Sequence, residues 1–74
     1  MKKSIYSTDY KFLINQLKKA RRETGLTQIE VAKKLGRTQS YISKVESGDL
    51  RVDIIQLREF AGLYSKNFDY FLKR

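Results

Sequence analysis

A single residue, Arg37, separates Gly36 from Thr38, and no other feature of this chain restricts its fold so tightly. Glycine best tolerates the left-handed conformation that ends a helix, and threonine is a good N-cap for the next one. One helix must therefore stop and another start within one very tight turn. The upstream helix opens at Thr27-Gln28-Ile29-Glu30, a capping box in which the threonine and the glutamate satisfy each other's backbone donors. Its inward face is Val31, Ala32 and Leu35. The downstream helix runs to about Ser47, before Gly48 ends it.

Periodicity supplies the surroundings of this pair. Thr8 or Asp9 can cap a first helix whose apolar positions Tyr10, Leu13, Ile14, Leu17 and Ala20 share a face, with Gly25 as its stop. A fourth helix is expected from Asp53, with Ile54, Leu57, Phe60, Ala61 and Tyr64 facing inward. A short fifth is capped by Asn67 and carries Phe68, Phe71 and Leu72. Met1 to Ser7 read as a loose basic arm, which leaves residues 8–74 as one all-α domain with no room for a second, ligand-sensing one.

Composition narrows the chemistry. With no cysteine and no histidine, disulfide frameworks, thiol nucleophiles, imidazole bases and the usual zinc ligands all drop out, and no metal or cofactor is expected. Asp49 and Asp53 are the only paired carboxylates near a helix start, and they read as a loop acid and an N-cap. No phosphate loop or nucleophile–base pair appears, so an enzyme is not expected. Sixteen Lys and Arg against 8 Asp and Glu give a net charge of +8, a surface that attracts polyanions through counterion release. No apolar run approaches a bilayer span and no secretion signal follows Met1-Lys2-Lys3, so a cytoplasmic protein is expected, away from the membrane.

Two short helices about a glycine-centred turn have the spacing of a helix-turn-helix, and a small side chain at Ala32 lets the second cross the first closely. On that second helix, at about 100° per residue, Ile42 and Val45 point one way while Ser40, Ser43, Lys44 and Ser47 point the other. Gln39 stands in the first turn, the end that enters a groove deepest. Its amide can bond an adenine edge through both groups, Ser40 can serve any base, and Lys44 can reach guanine or a phosphate. Gln39, Ser40, Ser43 and Lys44 are thus the expected base readers. Gln28, Arg37, Thr38, Ser47 and Arg51, around the rim, are expected to hold phosphates.

The stretch Gly25-Leu26-Thr27-Gln28-x-Glu30-Val31-Ala32-x-x-Leu35-Gly36, continued by Gln39-Ser40-Tyr41-Ile42-Ser43-Lys44-Val45-Glu46-Ser47-Gly48, resembles the phage-repressor and Cro-type (XRE) helix-turn-helix family. The resemblance implies a five-helix, lambda-repressor-like fold, operator binding as a two-fold dimer, and control of transcription in a prokaryotic or phage nucleoid. It also implies that Gln28 pairs with Gln39 while holding a phosphate, and that Arg21 meets Glu46. Glu46 lies only about 40° from Ile42 on the helical wheel, at the core border.

In two places the chain departs from the family pattern. Ser65-Lys66 stand where a glycine and an aliphatic residue are common, and the aromatic group Tyr64, Phe68, Tyr70 and Phe71 is large for so small a domain. Those aromatics complete the core or extend into a dimer interface. Two other classes compete with DNA reading. A protein-interaction adaptor of the same fold calls for apolar or acidic residues on the outward face of the third helix. A membrane-surface module needs bulky apolar residues beside the lysines, where Ile29 is the only obvious one before the C-terminal tail.

Overall fold

The computed structural model describes residues 7–73, which fold into five helices and their connections. They are α1 (Thr8–Thr24), α2 (Gln28–Leu35), α3 (Gln39–Ser47), α4 (Ile54–Tyr64) and α5 (Phe68–Leu72). Of the expected basic arm, residues 1–6 lie outside the described residues. Ser7 belongs to the fold, because its hydroxyl accepts the Tyr10 N–H at 3.1 Å and caps α1 in place of the expected Thr8 or Asp9. Asp9 falls instead in the first turn, where its charge complements the helix dipole.

α1 forms the spine, packing against α3, α4 and α5, while α2 lies across α3 and touches α4. One core joins all five helices, drawing Tyr10, Leu13, Ile14, Leu17 and Ala20 from α1 and Val31 and Ala32 from α2. Ile42 and Val45 enter it from α3, Leu57, Phe60, Ala61 and Tyr64 from α4, and Phe71 from α5. Leu35 is only half-buried at its edge. Ile54 departs from its expected place and is 58% exposed. It is the first residue of α4, and side chains lean toward a helix's N-terminus, so it overhangs the end of the core.

The connections follow the capping signals. The capping box at Thr27 is formed on both sides, and Asp53 makes a second with Gln56, accepting its N–H at 2.8 Å. Gly36 closes α2 at φ 69°, and the Arg37 N–H then bonds back to the Ala32 carbonyl at 2.9 Å, which fixes the tight turn. Gly48 closes α3 at φ 88°, where a Cβ would stand 3.1 Å from the Ile14 Cδ1 of α1. At the α4–α5 corner Ser65 itself adopts the left-handed conformation, φ 57° and ψ 44°, that glycine adopts without strain.

Candidate nucleic-acid interface

The interface is built on α3, which is held from behind. Thr38 caps it by accepting the Tyr41 N–H at 3.0 Å, Ile42 and Val45 are fully buried against α1 and α2, and Glu46 is 5% exposed. Gln39, Ser40, Lys44 and Ser47 are exposed on the far face, and Ser43 is half-buried at its margin. The outward face therefore carries amide, hydroxyl and ammonium groups and no large apolar side chain. Val31 and Ala32, 0% and 3% exposed, set how closely α3 crosses α2.

A line of hydrogen bonds ties this face to the core. The Arg21 guanidinium donates from Nε and NH2 to the two Glu46 carboxylate oxygens, at 2.7 and 3.0 Å, and from NH1 to the Leu26 carbonyl at 3.0 Å. The hydrogen bond to Glu46 raises the guanidinium pKa further above its ordinary value. Gln28 Nε2 donates to Glu46 at 3.0 Å, and Gln28 Oε1 accepts from Gln39 Nε2 at 2.7 Å. Each amide keeps something in reserve. Gln39 retains one N–H and its carbonyl oxygen, the donor–acceptor pair that an adenine edge requires, and Gln28 retains one N–H for a phosphate oxygen.

The remaining rim residues divide. The Thr38 oxygen is occupied by its capping bond, which leaves its hydroxyl proton for a phosphate. Ser47 donates to the Lys44 carbonyl at 3.1 Å and accepts from the Asp49 N–H at 3.4 Å, so its hydroxyl also serves the end of α3. Arg51 lies beyond that end with its guanidinium over the Tyr10 ring, 4.5 Å from the centroid. Arg37 turns along the flank of α3 toward α4, stacks over Tyr41 at 5.0 Å and donates to Glu59 at 2.9 Å. That bond raises the Arg37 pKa.

Several of these features went beyond the sequence reading. Glu59, the partner of Arg37, was not anticipated; it sits 22 residues away on a helix whose pattern signals only its apolar face. Tyr10 was expected in the core, and its hydroxyl also accepts the Val52 N–H at 3.2 Å, pinning the α3–α4 connection. The aromatic group splits: Tyr64 and Phe71, at 3% and 0% exposed, are buried in the core of the single chain and offer nothing to a dimer interface. Phe68 and Tyr70 are half-buried against that core. Among the described residues the exposed large apolar side chains are Ile29, Leu50, Ile54, Ile55 and Leu72, so Ile29 is joined by others ahead of the tail. Leu50, Ile54 and Ile55 lie in a stretch of mixed charge, with Asp49 and Asp53 beside Arg51, whereas a membrane-surface module needs apolar residues among lysines. Among the described residues no helix is long and apolar enough to cross a membrane.

Comparison with known proteins agrees with this geometry. A family model described as helix-turn-helix matches residues 17–71, the span from the middle of α1 to α5. A glutamine–fructose-6-phosphate aminotransferase (isomerizing) of Methanocaldococcus jannaschii is 36% identical over 61 residues, which make up 81% of this chain but 6% of that protein. The likeness therefore concerns a small portion of that enzyme. No solved structure matches the chain. The family match takes in the second half of α1, all of α2, α3 and α4 and most of α5, and the chain belongs to the Cro/C1-type (XRE) helix-turn-helix family of DNA-binding transcription regulators.

Proposed function

We propose that the protein is a sequence-specific transcriptional repressor that lays α3 in the major groove, as a homodimer on a near-palindromic operator, and blocks promoter access. Gln39, Ser40 and Lys44 read base edges, with Ser43 at the margin. Gln28, Arg37, Thr38, Ser47 and Arg51 hold the phosphate backbone. The observation that carries this reading is the bond from Gln39 to Gln28, which is itself bonded to the buried Glu46. A side chain that only solvates a helix has no need of such a support, whereas a base reader gains from being held in one geometry before it binds. Two-fold assembly is favoured by economy of contact. One such module presents too little surface for strong specific binding, and two recognition helices about one DNA turn apart double it. The protein acts as a binding module without catalytic chemistry, in the cytoplasm at the nucleoid.

The test is selection of bound sites from random duplexes, followed by salt titration of the selected sequence and a scrambled one. The expected result is a palindromic site preferred at every salt concentration, with both affinities falling as salt rises. Equal affinity for the two sequences throughout would refute sequence-specific reading.

A further inference from the structure

A helix lying in the major groove turns one flank toward each phosphate-bearing strand. On α3 the first flank carries Gln39, backed by Gln28 at the start of α2. The opposite flank carries Tyr41, and the cation on it is Arg37, stacked 5.0 Å from the ring centroid. Tyr41 is itself anchored, lying nearly parallel to Phe60 at 6.4 Å, so the guanidinium rests on a fixed platform. Glu59 of α4 takes one guanidinium nitrogen at 2.9 Å, and the two side chains remain 34% and 36% exposed. That contact uses one nitrogen and one oxygen, short of the two-pronged geometry that makes arginine–carboxylate pairs strong.

We propose that Glu59 is an internal competitor for the DNA backbone: its carboxylate occupies Arg37 in the free protein, and a phosphate on the strand facing Tyr41 must displace it. The inference rests on the DNA-reading assignment above and adds to it a residue that sets affinity and salt dependence. In a chain of net charge +8 the effect is to restrain attraction to every polyanion. Because phosphates carry no sequence information, the restraint falls equally on cognate and scrambled DNA. It also hides part of the counterion release, since the displaced carboxylate recruits a cation as the phosphate gives one up.

The experiment measures binding of the selected and scrambled duplexes by fluorescence anisotropy between about 50 and 200 mM salt. It compares the wild type with Glu59→Gln, Arg37→Gln and the double variant, each checked for folding by its melting curve. Glu59→Ala serves as a second route to the same loss of charge. Glu59→Gln is expected to tighten binding to both duplexes about two- to fivefold, the range an exposed ion pair commands. The salt slope should steepen by up to about 0.9. In the Arg37→Gln background the same change should do neither. Equal tightening in both backgrounds would overturn the proposal, because Glu59 would then act only as one more negative charge near DNA. So would no tightening in either. Failure of the wild type to bind any duplex would overturn the DNA-reading assignment as well.

Discussion

Replacing Arg21 with alanine tests the link between the core and the outward face of α3. Glu46 is 5% exposed and takes three hydrogen bonds, two from Arg21 at 2.7 and 3.0 Å and one from Gln28 at 3.0 Å. Arg21→Ala removes both arginine donors and leaves a nearly buried carboxylate with a single amide partner. Breaking a buried pair in this way costs about 3–5 kcal/mol. The lower end applies here, because the Arg21 side chain is itself 15% exposed, so water can enter where it stood. At about 3 kcal/mol, and with about 4–8 °C lost per kcal/mol in a domain of this size, the melting temperature should fall by about 12–24 °C. Thermal melts followed by circular dichroism would measure it. A companion variant, Arg21→Met with Glu46→Met, should recover most of that stability, since an apolar pair needs no partner in the core. It should not recover base discrimination at the Gln39 contact, because Gln28 has then lost its anchor. A fall of less than about 4 °C for Arg21→Ala would refute the argument, for it would mean that water satisfies Glu46 as well as arginine does.

Four further outcomes are expected. Ser65→Gly should stabilise the fold by about 0.5–1 kcal/mol in denaturant melts: relief of a left-handed serine is worth about 1–2, less about 0.5–1 for glycine's extra chain entropy. Burial raises the Tyr64 pKa, so its neutral form stabilises the fold fully below about pH 10, its unfolded value, and that contribution is lost as pH rises toward the folded one. The loss runs at about 1.4 kcal/mol per pH unit, and Tyr64→Phe should remove that slope from alkaline unfolding curves. Ala32→Leu, at a position 3% exposed, should cost about 1–3 kcal/mol by overpacking and weaken DNA binding beyond what lost stability explains, because α3 is pushed off α2. Gln39→Ala and Lys44→Ala should each relax preference at particular base pairs by about 1–3 kcal/mol, whereas Arg51→Ala should weaken binding to all sequences alike.

What could be read from the sequence was what is decided locally. The capping box at Thr27, the glycine stops, the caps at Thr38, Asp53 and Asn67, and most of the apolar faces are set by residues within a turn of one another. Errors came where neighbours in space decide. Ser7, Thr8 and Asp9 are all competent caps, and the choice falls on Ser7 because Tyr10, three residues on, is drawn into the core and brings its N–H into reach. Ile54 fits the inward stripe of α4 by spacing alone, yet the core ends before it does. The fate of the C-terminal aromatics depended on where α5 docks. It packs on α1, with Gln16 Nε2 donating to the Tyr70 carbonyl at 2.9 Å, and that 54-residue separation leaves no local trace. The pairing of Arg21 with Glu46 is equally distant, and it was anticipated only through family resemblance.

The two flanks of α3 therefore differ in mechanical character, and the difference bears on how the protein meets DNA. On the Gln39 side each group is bonded to one nearer the core, through Gln28 to Glu46 and Arg21, so the Gln39 amide is oriented in the free protein, and under the proposed function little side-chain entropy remains to be lost on meeting a base. On the Arg37 side the cation is held by one exposed carboxylate and a ring face, so it can move to a phosphate. Base contacts require the rigid arrangement, because a donor and an acceptor must both meet their partners on one base edge. Backbone contacts tolerate the mobile one, since a phosphate offers oxygens in several directions. Under the proposed function the rigid flank governs which sequence is bound, and the mobile flank how tightly and at what salt. Substitutions at Arg21, Gln28 or Glu46 should accordingly alter base preference, while substitutions at Arg37 or Glu59 leave it intact.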